Sequence, residues 1–381
     1  MTTGQSKAAM RSLSDLANPH VDGLTPYETG RPVEDLLREM GWTDAASIVK
    51  LASNENALGP SPMAMEAMQR ALSQSHRYPD GGAYALKAAL SEHLQVAPDA
   101  ILPCNGSNEA IELLGHAFLG PERGIVMGER AFVVYRLVAD LMQAETRMAP
   151  MPAFTHDVEA LLAAITPKTR LVFIANPNNP TGTQVTEEAL VRLVEQVPDH
   201  VAVVIDEAYI ELLPPDRQPD TLRFVREGRP VFLLRTFSKT YGLAALRLGY
   251  VVAPAEGIGL LNRVRQPFHV NAVAQAGAIA ALRDEGFVEE TRRTVREGLD
   301  FLEQAMQEMG LATVPSAVNF LLIETGRGRE VFMALQREGV IVRPMNGYGL
   351  PDHIRVTVGT PAENRRFVDA LRKVLAAGEA A

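Results

Sequence analysis

The sequence predicts an α/β protein with a mostly parallel sheet flanked by helices, followed by a smaller α+β unit. Between about residues 98 and 270, short apolar runs alternate with turns and helical patterns, which is typical of strand–turn–helix units. The last part of the chain has shorter alternating elements. At 381 residues the chain exceeds one usual core, so we expect more than one domain. We place an arm and first helix at 1–46, a large domain at 47–270 and a small domain at 271–381.

Composition and charge narrow the class of protein. Hydrophobic residues make up 46% and charged residues 22% of the chain, as in ordinary soluble proteins. The net charge of -9 argues against nucleic acid or an anionic membrane as the main partner. A single cysteine, Cys104, excludes an internal disulfide and a multi-cysteine metal site, and it fits a reducing compartment. Neither a signal peptide nor a membrane span is indicated, so we expect a cytoplasmic enzyme or binding protein.

The secondary structure of the first part of the chain is predicted from its proline and glycine residues and from the spacing of its apolar residues. Repeated proline and glycine suggest an arm with little regular structure over 1–30. The expected elements that follow are a helix at 33–40, a strand at 48–52, and helices at 63–73 and 84–94. The second of these helices has a proline near its first turn, which suits a helix start.

The remaining elements follow from apolar runs and helical periodicity. In the large domain we predict strands at 101–104, 125–127, 144–148, 171–175, 201–205 and 230–234, with a helix that ends at 118 and helices at 132–142, 158–164 and 187–196. In the C-terminal part we predict helices at 271–284, 288–309, 328–338 and 363–376, and strands at 320–323, 340–343 and 353–358.

A lysine follows the last buried strand of the large domain. The apolar run 230–234 stops before the hydroxyl residues Thr236 and Ser238, and Lys239 follows them. The chain has only six lysines among its 37 basic residues, so a generic cation here would more often be arginine. Burial opposes the charge of a lysine, and the lowered basicity makes a good Schiff-base nucleophile. The alternative is a surface lysine whose stem covers the strand end.

Polar residues follow other predicted strands in the same way. Gly106 and Ser107 stand at a helix N-terminus, where free N–H groups suit a phosphate; a plain helix cap is the alternative. Asp206 ends a buried strand, which points to a ligand site or to a helix N-cap. Asn179 lies in a turn fixed by two Asn-Pro units, and Phe132 faces either a ligand or the core.

Taken together, these residues have separable chemical roles. Lys239 can form an imine, and Asp206 can pair with a heterocyclic nitrogen. The others offer hydrogen bonds, a phosphate site and a stacking ring: Tyr209 and Asn179 for a phenolate oxygen, Gly106, Ser107, Thr236, Ser238 and Arg247 for a phosphate, and Phe132 for a ring. This combination predicts pyridoxal 5′-phosphate, an electron sink for carbanions.

Long strings of the chain resemble one family. The strings are LASNENALGPSP, YPDGGAYALK, NGSNEAIELL, NPNNPTGT, VVIDEAYIE, RTFSKTYGLAALRLGY and IRVTVGT. They are similar to the fold type I pyridoxal-phosphate aminotransferases, above all to the histidinol-phosphate aminotransferases, from about residue 24 to the C-terminal helix. The resemblance implies a large domain with a mostly parallel seven-stranded sheet and a smaller α+β domain, with the N-terminal arm against the small domain or a partner subunit.

The resemblance also implies roles for individual residues. Lys239 would hold the cofactor, with Asp206 at the pyridine nitrogen, Tyr209 and Asn179 at the ring hydroxyl, and Phe132 on the ring face. The cofactor phosphate would lie on Gly106, Ser107, Asn108, Thr236, Ser238 and Arg247, and on Tyr78 from the other subunit of a homodimer. The substrate would meet Tyr27, Asn54, Arg343 and Arg355; no metal ligand is implied. Ala57, Cys104 and Phe132 depart from common family residues without removing a chemical role.

The expected reaction is transamination of L-histidinol phosphate with 2-oxoglutarate in histidine biosynthesis. The alternatives are an aromatic amino acid aminotransferase of the same family, a pyridoxal-phosphate decarboxylase of similar fold, and a non-catalytic phosphate-binding or regulatory protein. Regulators with this fold carry a basic DNA-binding domain in front, and the arm shows no helix-turn-helix pattern.

Overall fold

The computed structural model of the protein describes residues 12–27 and 30–379. Residues 1–11 and 28–29 of the predicted arm, and residues 380–381, lie outside the described residues. The described α-helices are α1 (Val33–Met40), α2 (Pro62–Leu72), α3 (Tyr84–Leu94), α4 (Gly106–Phe118), α5 (Val134–Leu141), α6 (Val158–Ala163), α7 (Glu187–Gln196), α8 (Leu222–Arg226), α9 (Ala255–Val264), α10 (Ala272–Ala281), α11 (Glu285–Glu308), α12 (Gly328–Arg337) and α13 (Pro361–Glu379).

Within residues 12–27 and 30–379, the strands fall into three sheets. They are β1 (Val49–Lys50), β2 (Ile101–Cys104), β3 (Gly124–Gly128), β4 (Glu145–Ala149), β5 (Thr169–Ala175), β6 (Ala202–Asp206), β7 (Val231–Thr236), β8 (Gly249–Val252), β9 (Thr313–Val314), β10 (Phe320–Glu324), β11 (Val340–Ile341), β12 (Arg343–Pro344) and β13 (His353–Thr357).

The largest sheet has seven strands in the order β2-β8-β7-β6-β5-β3-β4. Strands β4, β3, β5, β6 and β7 run parallel. Strand β8 runs antiparallel between β7 and β2. The predicted mostly parallel α/β sheet is therefore confirmed, with one reversed strand that the sequence analysis did not include.

The core of the large unit lies on both faces of this sheet. Successive residues of a strand point to opposite faces, and Val203 and Ile205 pack in one apolar cluster while Val204 packs in the other. Helices α2, α3, α7 and α10 cover the first face, and α4, α5 and α9 cover the second. Because both faces are buried, the strands read as continuous apolar runs.

Helix starts in this unit follow the local sequence. Helix α2 begins at Pro62, whose missing N–H has no partner to lose at a first helical position. The Ser61 hydroxyl accepts a hydrogen bond from the Ala64 N–H at 3.0 Å. Thr186 caps α7 in the same way. Glu187 and Glu188 lie in the first turn, where negative side chains interact favourably with the positive end of the helix dipole.

A smaller unit is built on the antiparallel sheet β12-β13-β10-β9 and the parallel pair β1-β11. The strand predicted at 340–343 is split, because Val340–Ile341 pairs with β1 while Arg343–Pro344 pairs with β13. Val49 packs in the apolar cluster of this smaller unit, whereas α10 packs against the large sheet. The domain limits at 46/47 and 270/271 stay predictions.

Membrane crossing needs a helix that is both long and apolar. Among residues 12–27 and 30–379, none of the helices meets this requirement.

Candidate active site

The carboxyl ends of β5, β6 and β7 and the first turn of α4 open into a cavity of about 410 Å³. Parallel strands end at the same edge of a sheet, and ligands collect there. The cavity is lined by every residue of the predicted site except Gly106 and Tyr78: Tyr27, Asn54, Ser107, Asn108, Phe132, Asn179, Asp206, Tyr209, Thr236, Ser238, Lys239, Arg247, Arg343 and Arg355.

Lys239 lies three residues after β7 and is partly buried, and its Nζ donates a hydrogen bond to the Ser53 carbonyl oxygen at 3.0 Å. Burial is the main cause that lowers the pKa of Lys239 from 10.5 to about 7, and Arg355 lowers it further. Among the described residues, no carboxylate forms an ion pair with this amine. A large fraction of Lys239 is therefore an uncharged nucleophile near neutral pH.

Asp206 ends β6 with its side chain buried and directed into the cavity. The Tyr135 hydroxyl donates to Asp206 Oδ2 at 2.7 Å, and the Ala208 N–H donates to Oδ1 at 3.2 Å. Burial and, to a smaller extent, the neighbouring Glu207 raise the pKa of Asp206 to about 6, although these two hydrogen bonds lower it. The Ala208 contact is a local turn rather than the helix cap considered above.

Tyr209 lies beside the lysine and belongs to a hydrogen-bond network with the smaller unit. Asn54 Nδ2 donates to the Tyr209 hydroxyl at 2.9 Å, and Thr357 Oγ1 donates to Asn54 Oδ1 at 3.2 Å. Lys239 Nζ is 5.8 Å from the centre of the Tyr209 ring. Burial raises the pKa of Tyr209 to about 12, so its hydroxyl stays protonated and can donate to an anionic ligand oxygen.

Asn179 and Arg355 are joined directly, although Asn179 lies in the turn after β5 of the large sheet and Arg355 lies in β13 of the smaller unit. Arg355 donates through Nη1 to Asn179 Oδ1 and through Nη2 to the Ala52 carbonyl oxygen. The buried Nε of Arg355 has no hydrogen-bond partner among the described residues. A buried donor without a partner is costly, so an arriving anion would satisfy it.

An anion cradle lies between the first turn of α4 and the segment after β7. Gly106 has a φ of +74°, and a Cβ atom there would come 2.7 Å from Arg247 Nη2, so glycine lets the guanidinium approach the helix start. Arg247 Nη1 is 3.5 Å from the Ser238 hydroxyl, which accepts a hydrogen bond from Thr236 Oγ1 at 3.0 Å. The first N–H groups of a helix attract anions.

Two arginines stand side by side where β12 and β13 border the cavity. Arg343 and Arg355 are Cα partners in the antiparallel pair β12–β13, so both side chains are on the same face of the sheet. Tyr27, which is 48% exposed, and Phe132 line the cavity with them. This part of the cavity is therefore rich in positive charge.

Two predicted residues do not line the cavity. Gly106 contributes backbone only, next to Arg247. Tyr78 is 83% exposed, and its ring stacks on Phe268 with centroids 4.9 Å apart. The described chain by itself does not bring Tyr78 to the site.

Two tyrosines that were not among the predicted site residues also line the cavity, Tyr135 and Tyr348. Tyr135 comes three residues after Phe132, so the helical spacing could have placed both on one face. Tyr348 lies in the loop between β12 and β13, and its position next to the arginines depends on tertiary folding.

Comparisons with known proteins agree with this geometry. The model of the family described as aminotransferase class I and II matches residues 46–371. The chain is 49% identical to histidinol-phosphate aminotransferase 2 of Pseudomonas fluorescens, over 95% of this chain and 98% of the relative. It is 47% identical to histidinol-phosphate aminotransferase of Akkermansia muciniphila, over 96% of this chain and 100% of the relative.

Solved structures show the same architecture. The crystal structure of histidinol-phosphate aminotransferase from Sinorhizobium meliloti in complex with pyridoxal-5′-phosphate is similar, with a TM-score of 0.86 and 26% identity over 97% of this chain and 99% of that chain. These matches confirm the family resemblance predicted from the motifs: the chain belongs to the class I and II aminotransferases.

Proposed function

We propose that this protein transfers the amino group of L-histidinol phosphate to 2-oxoglutarate, giving imidazole acetol phosphate and glutamate, with pyridoxal 5′-phosphate as cofactor. The names of its relatives support the reaction, and the family match supports the cofactor. The single observation that carries the substrate is the cross-strand pair Arg343 and Arg355 beside Lys239.

Like charges directly opposite each other on neighbouring strands destabilise a sheet. An anion bound between Arg343 and Arg355 would offset this repulsion. Guanidinium groups bind phosphate and carboxylate with two parallel hydrogen bonds. A phosphate dianion offers more charge to this pair than the single carboxylate of an aromatic amino acid, which favours histidinol phosphate over phenylalanine.

The residues of the cavity also fit pyridoxal 5′-phosphate. The cradle of Gly106, Ser107, Ser238 and Arg247 would hold the phosphate, because its glycine leaves room for the guanidinium and its helix start offers N–H donors. Asn108 and Thr236 line the same part of the cavity. Lys239 lines the same cavity and supplies an amine of lowered basicity.

Bound pyridoxal 5′-phosphate supplies an electron sink that stabilises negative charge at the substrate Cα. Lys239 Nζ would attach the cofactor and, once displaced by the substrate amine, would take the Cα proton as a general base. A pKa near 7 keeps much of this amine unprotonated at neutral pH. Its hydrogen bond to Ser53 anchors Nζ on one side of the cavity.

Asp206 would hold the proton on the pyridine nitrogen, since a carboxylate favours the charged form of a cation beside it. Tyr209 and Asn179 would donate hydrogen bonds to the ring oxygen, and Phe132 would stack on the ring. Arg355, Arg343, Tyr27 and Asn54 would bind the anionic end of either substrate.

We extend the proposal to a cytoplasmic homodimer in which Tyr78 reaches the cofactor phosphate of the neighbouring subunit. The exposed Tyr78–Phe268 pair supports this, because large exposed aromatic surfaces are typical of interaction sites. A Tyr78→Phe variant would test it by its affinity for the cofactor.

The direct test is a two-donor assay on the purified, cofactor-loaded protein. Histidinol phosphate and phenylalanine compete as amino donors to 2-oxoglutarate, and both ketone products are measured. We expect kcat/KM for histidinol phosphate to exceed that for phenylalanine by about 100-fold, because hydrogen bonds to a charged group contribute roughly 1.5–3 kcal/mol. Equal values, or a preference for phenylalanine, would favour the aromatic aminotransferase.

Arginine variants test the anion site itself. Arg343→Ala should raise the KM for histidinol phosphate by about tenfold or more, since an interaction with a charged group is lost. Arg136→Ala is the matched control, because Arg136 lines the neighbouring cavity rather than this one. A KM that is unchanged in Arg343→Ala would remove Arg343 from the phosphate site.

A further inference from the structure

Tyr135 is a fully buried tyrosine whose hydroxyl reaches the candidate active site. It lies on α5, its exposure is 0%, and it lines the cavity. Its hydroxyl donates a hydrogen bond of 2.7 Å to Asp206 Oδ2. A buried hydroxyl bonded to a carboxylate makes one of the stronger hydrogen bonds in a protein.

We propose that Tyr135 is a positioning residue for Asp206: its hydroxyl fixes the orientation of the carboxylate and keeps it ionised, so that Asp206 can hold the proton on the cofactor's ring nitrogen. The inference rests on the proposed cofactor and deepens its role for this chain. Tyr135 does not need to touch the substrate to act in this way.

The hydrogen bonds of Asp206 define its orientation. The Ala208 N–H bonds Oδ1 at 3.2 Å and the Tyr135 hydroxyl bonds Oδ2 at 2.7 Å. Two donors on two different oxygens prevent rotation of the carboxylate and leave further lone pairs for the cavity. No lysine or arginine of the described residues forms an ion pair with Asp206, so Tyr135 is its main side-chain support.

The surrounding charges make that support necessary. Burial and the adjacent Glu207 both favour the protonated form of Asp206, whereas the Tyr135 and Ala208 hydrogen bonds favour the ionised form. The other titratable groups that face the pair are the neutral hydroxyls of Tyr209 and Tyr348. Burial raises the pKa of Tyr135 well above its usual value, so the hydroxyl remains a donor at working pH.

The ring of Tyr135 is held by neighbouring aromatic rings. It stacks on Phe173 with centroids 4.5 Å apart and an interplanar angle of 15°. It meets Phe132 edge-on at 5.7 Å. A Tyr135→Phe variant keeps both ring contacts and removes only the hydroxyl, so it isolates the hydrogen bond.

The test uses two ligands and the full-length protein freed of cofactor. One ligand is pyridoxal 5′-phosphate, and the other is its analogue in which a carbon replaces the ring nitrogen. We expect Tyr135→Phe to weaken binding of pyridoxal 5′-phosphate by about tenfold, as for the loss of a hydrogen bond to a charged group. Binding of the analogue should change less than about twofold, since it has no ring nitrogen for Asp206 to meet.

Combined variants test whether the effect passes through Asp206. In an Asp206→Asn background, Tyr135→Phe should cause no further loss of affinity, because the interaction energy of a coupled pair appears only when both partners are present. Tyr250→Phe is the matched control, since it removes the hydroxyl of another buried tyrosine, which lies in β8 and does not line the cavity. It should bind both ligands as the unchanged protein does.

Equal losses for both ligands, or no loss for either, would overturn the role of Tyr135, as would a loss of full size in the Asp206→Asn background. These outcomes differ from a failure of the proposed function. If the unchanged protein binds pyridoxal 5′-phosphate but transfers no amino group from histidinol phosphate, the proposed reaction is wrong while the contrast between ligands still tests Tyr135.

Discussion

Two sets of ionisable groups stand next to each other at the ends of β6 and β7, and the fold treats them differently. Glu207 and Arg235 form a closed pair, with Glu207 Oε2 2.7 Å from Arg235 Nε and the Thr221 hydroxyl donating to Oε1 at 2.6 Å. Asp206 is adjacent in sequence to Glu207, and Lys239 follows Arg235 by a few residues. Among the described residues, neither Asp206 nor Lys239 forms an ion pair with a group of opposite charge. Glu207, Arg235 and Asp206 are buried, and Lys239 is partly buried.

The difference teaches which buried charges serve stability and which are available for chemistry. The charged forms of Glu207 and Arg235 support each other, and Glu207 raises the pKa of Arg235 against burial. Burial instead raises the pKa of Asp206 to about 6 and lowers that of Lys239 to about 7. Groups shifted toward neutrality in a cavity are typical of active sites.

The largest expected effect comes from removing the amine. Lys239→Ala should reduce transamination by about 10⁴-fold or more, because both the nucleophile and the base are lost. The free energy of unfolding should stay the same or rise, since a buried amine without an ion-pair partner is gone. Single-turnover kinetics and urea unfolding measure the two. Lys87→Ala, outside the cavity, is the control, and retained turnover in Lys239→Ala would refute the assignment.

Removing one partner of the buried ion pair Glu207–Arg235 should have the next largest effect, which is on the free energy of unfolding. Arg235→Met leaves the Glu207 carboxylate buried without its partner, which should cost about 3–5 kcal/mol of unfolding free energy. Urea unfolding of the cofactor-free protein measures it. The double variant Arg235→Met with Glu207→Gln should lose less. Asp206→Asn should cost little, and a loss as large as that of Arg235→Met would contradict the contrast.

The pH dependence of stability should separate the unpaired groups from each other. The pKa of Lys239 is about 7 when folded and 10.5 as the reference, so the unfolded chain binds more protons between these values and stability rises with pH there, by an amount on the order of a few kcal/mol. The pKa of Asp206 is raised from 3.8 to about 6, so its contribution is lost as the pH rises through that window.

The pH dependence of the unfolding free energy, compared between the unchanged protein and single variants, would check the sign of both contributions. Unfolding of the cofactor-free protein is compared with Lys239→Met above pH 7 and with Asp206→Asn below pH 6, where each variant should lack its own slope. If Lys239→Met kept the full rise of stability between neutral and alkaline pH, the buried amine would not be its source.

The smallest expected effect on the free energy of unfolding comes from an exposed ion pair, and it tests whether burial sets the contribution of such a pair. Arg372 and Glu308 join α13 and α11 at 3.0 Å, with both side chains about half exposed. Arg372→Gln should cost less than about 1 kcal/mol, because water screens an exposed pair. The same urea experiment measures it. A loss comparable to that of Arg235→Met would show that charge pairing, rather than its burial, sets the contribution.

Much of the fold and the site could be predicted from local sequence. The predicted bounds of α1, α3 and α7 agree with the structure, because capping residues and helical spacing are encoded by near neighbours. The apolar runs that became β5, β6 and β7 were equally clear. The strand-end residues Lys239, Asp206 and Ser107 could be predicted to lie together, since parallel strands end at one edge.

Other features could not be read from near neighbours. Strand β8 was missed because four residues after a turn give little periodic signal. The segment 340–343 looked like one strand, yet its halves pair with β1 and β13. Tyr135 and Tyr348 gave no motif of their own. Each of these depends on a pairing partner that is distant in sequence.

By itself, the sequence determined the mostly parallel α/β architecture, the family and the set of chemical groups at the strand ends, because periodicity and turn chemistry act over a few residues. Only the tertiary structure decided that Asp206 faces the cavity while Glu207 closes on Arg235, that Tyr135 supports Asp206, and that Arg343 stands beside Arg355. Consecutive strand residues point to opposite faces, and which face becomes the site depends on what the rest of the chain packs against it.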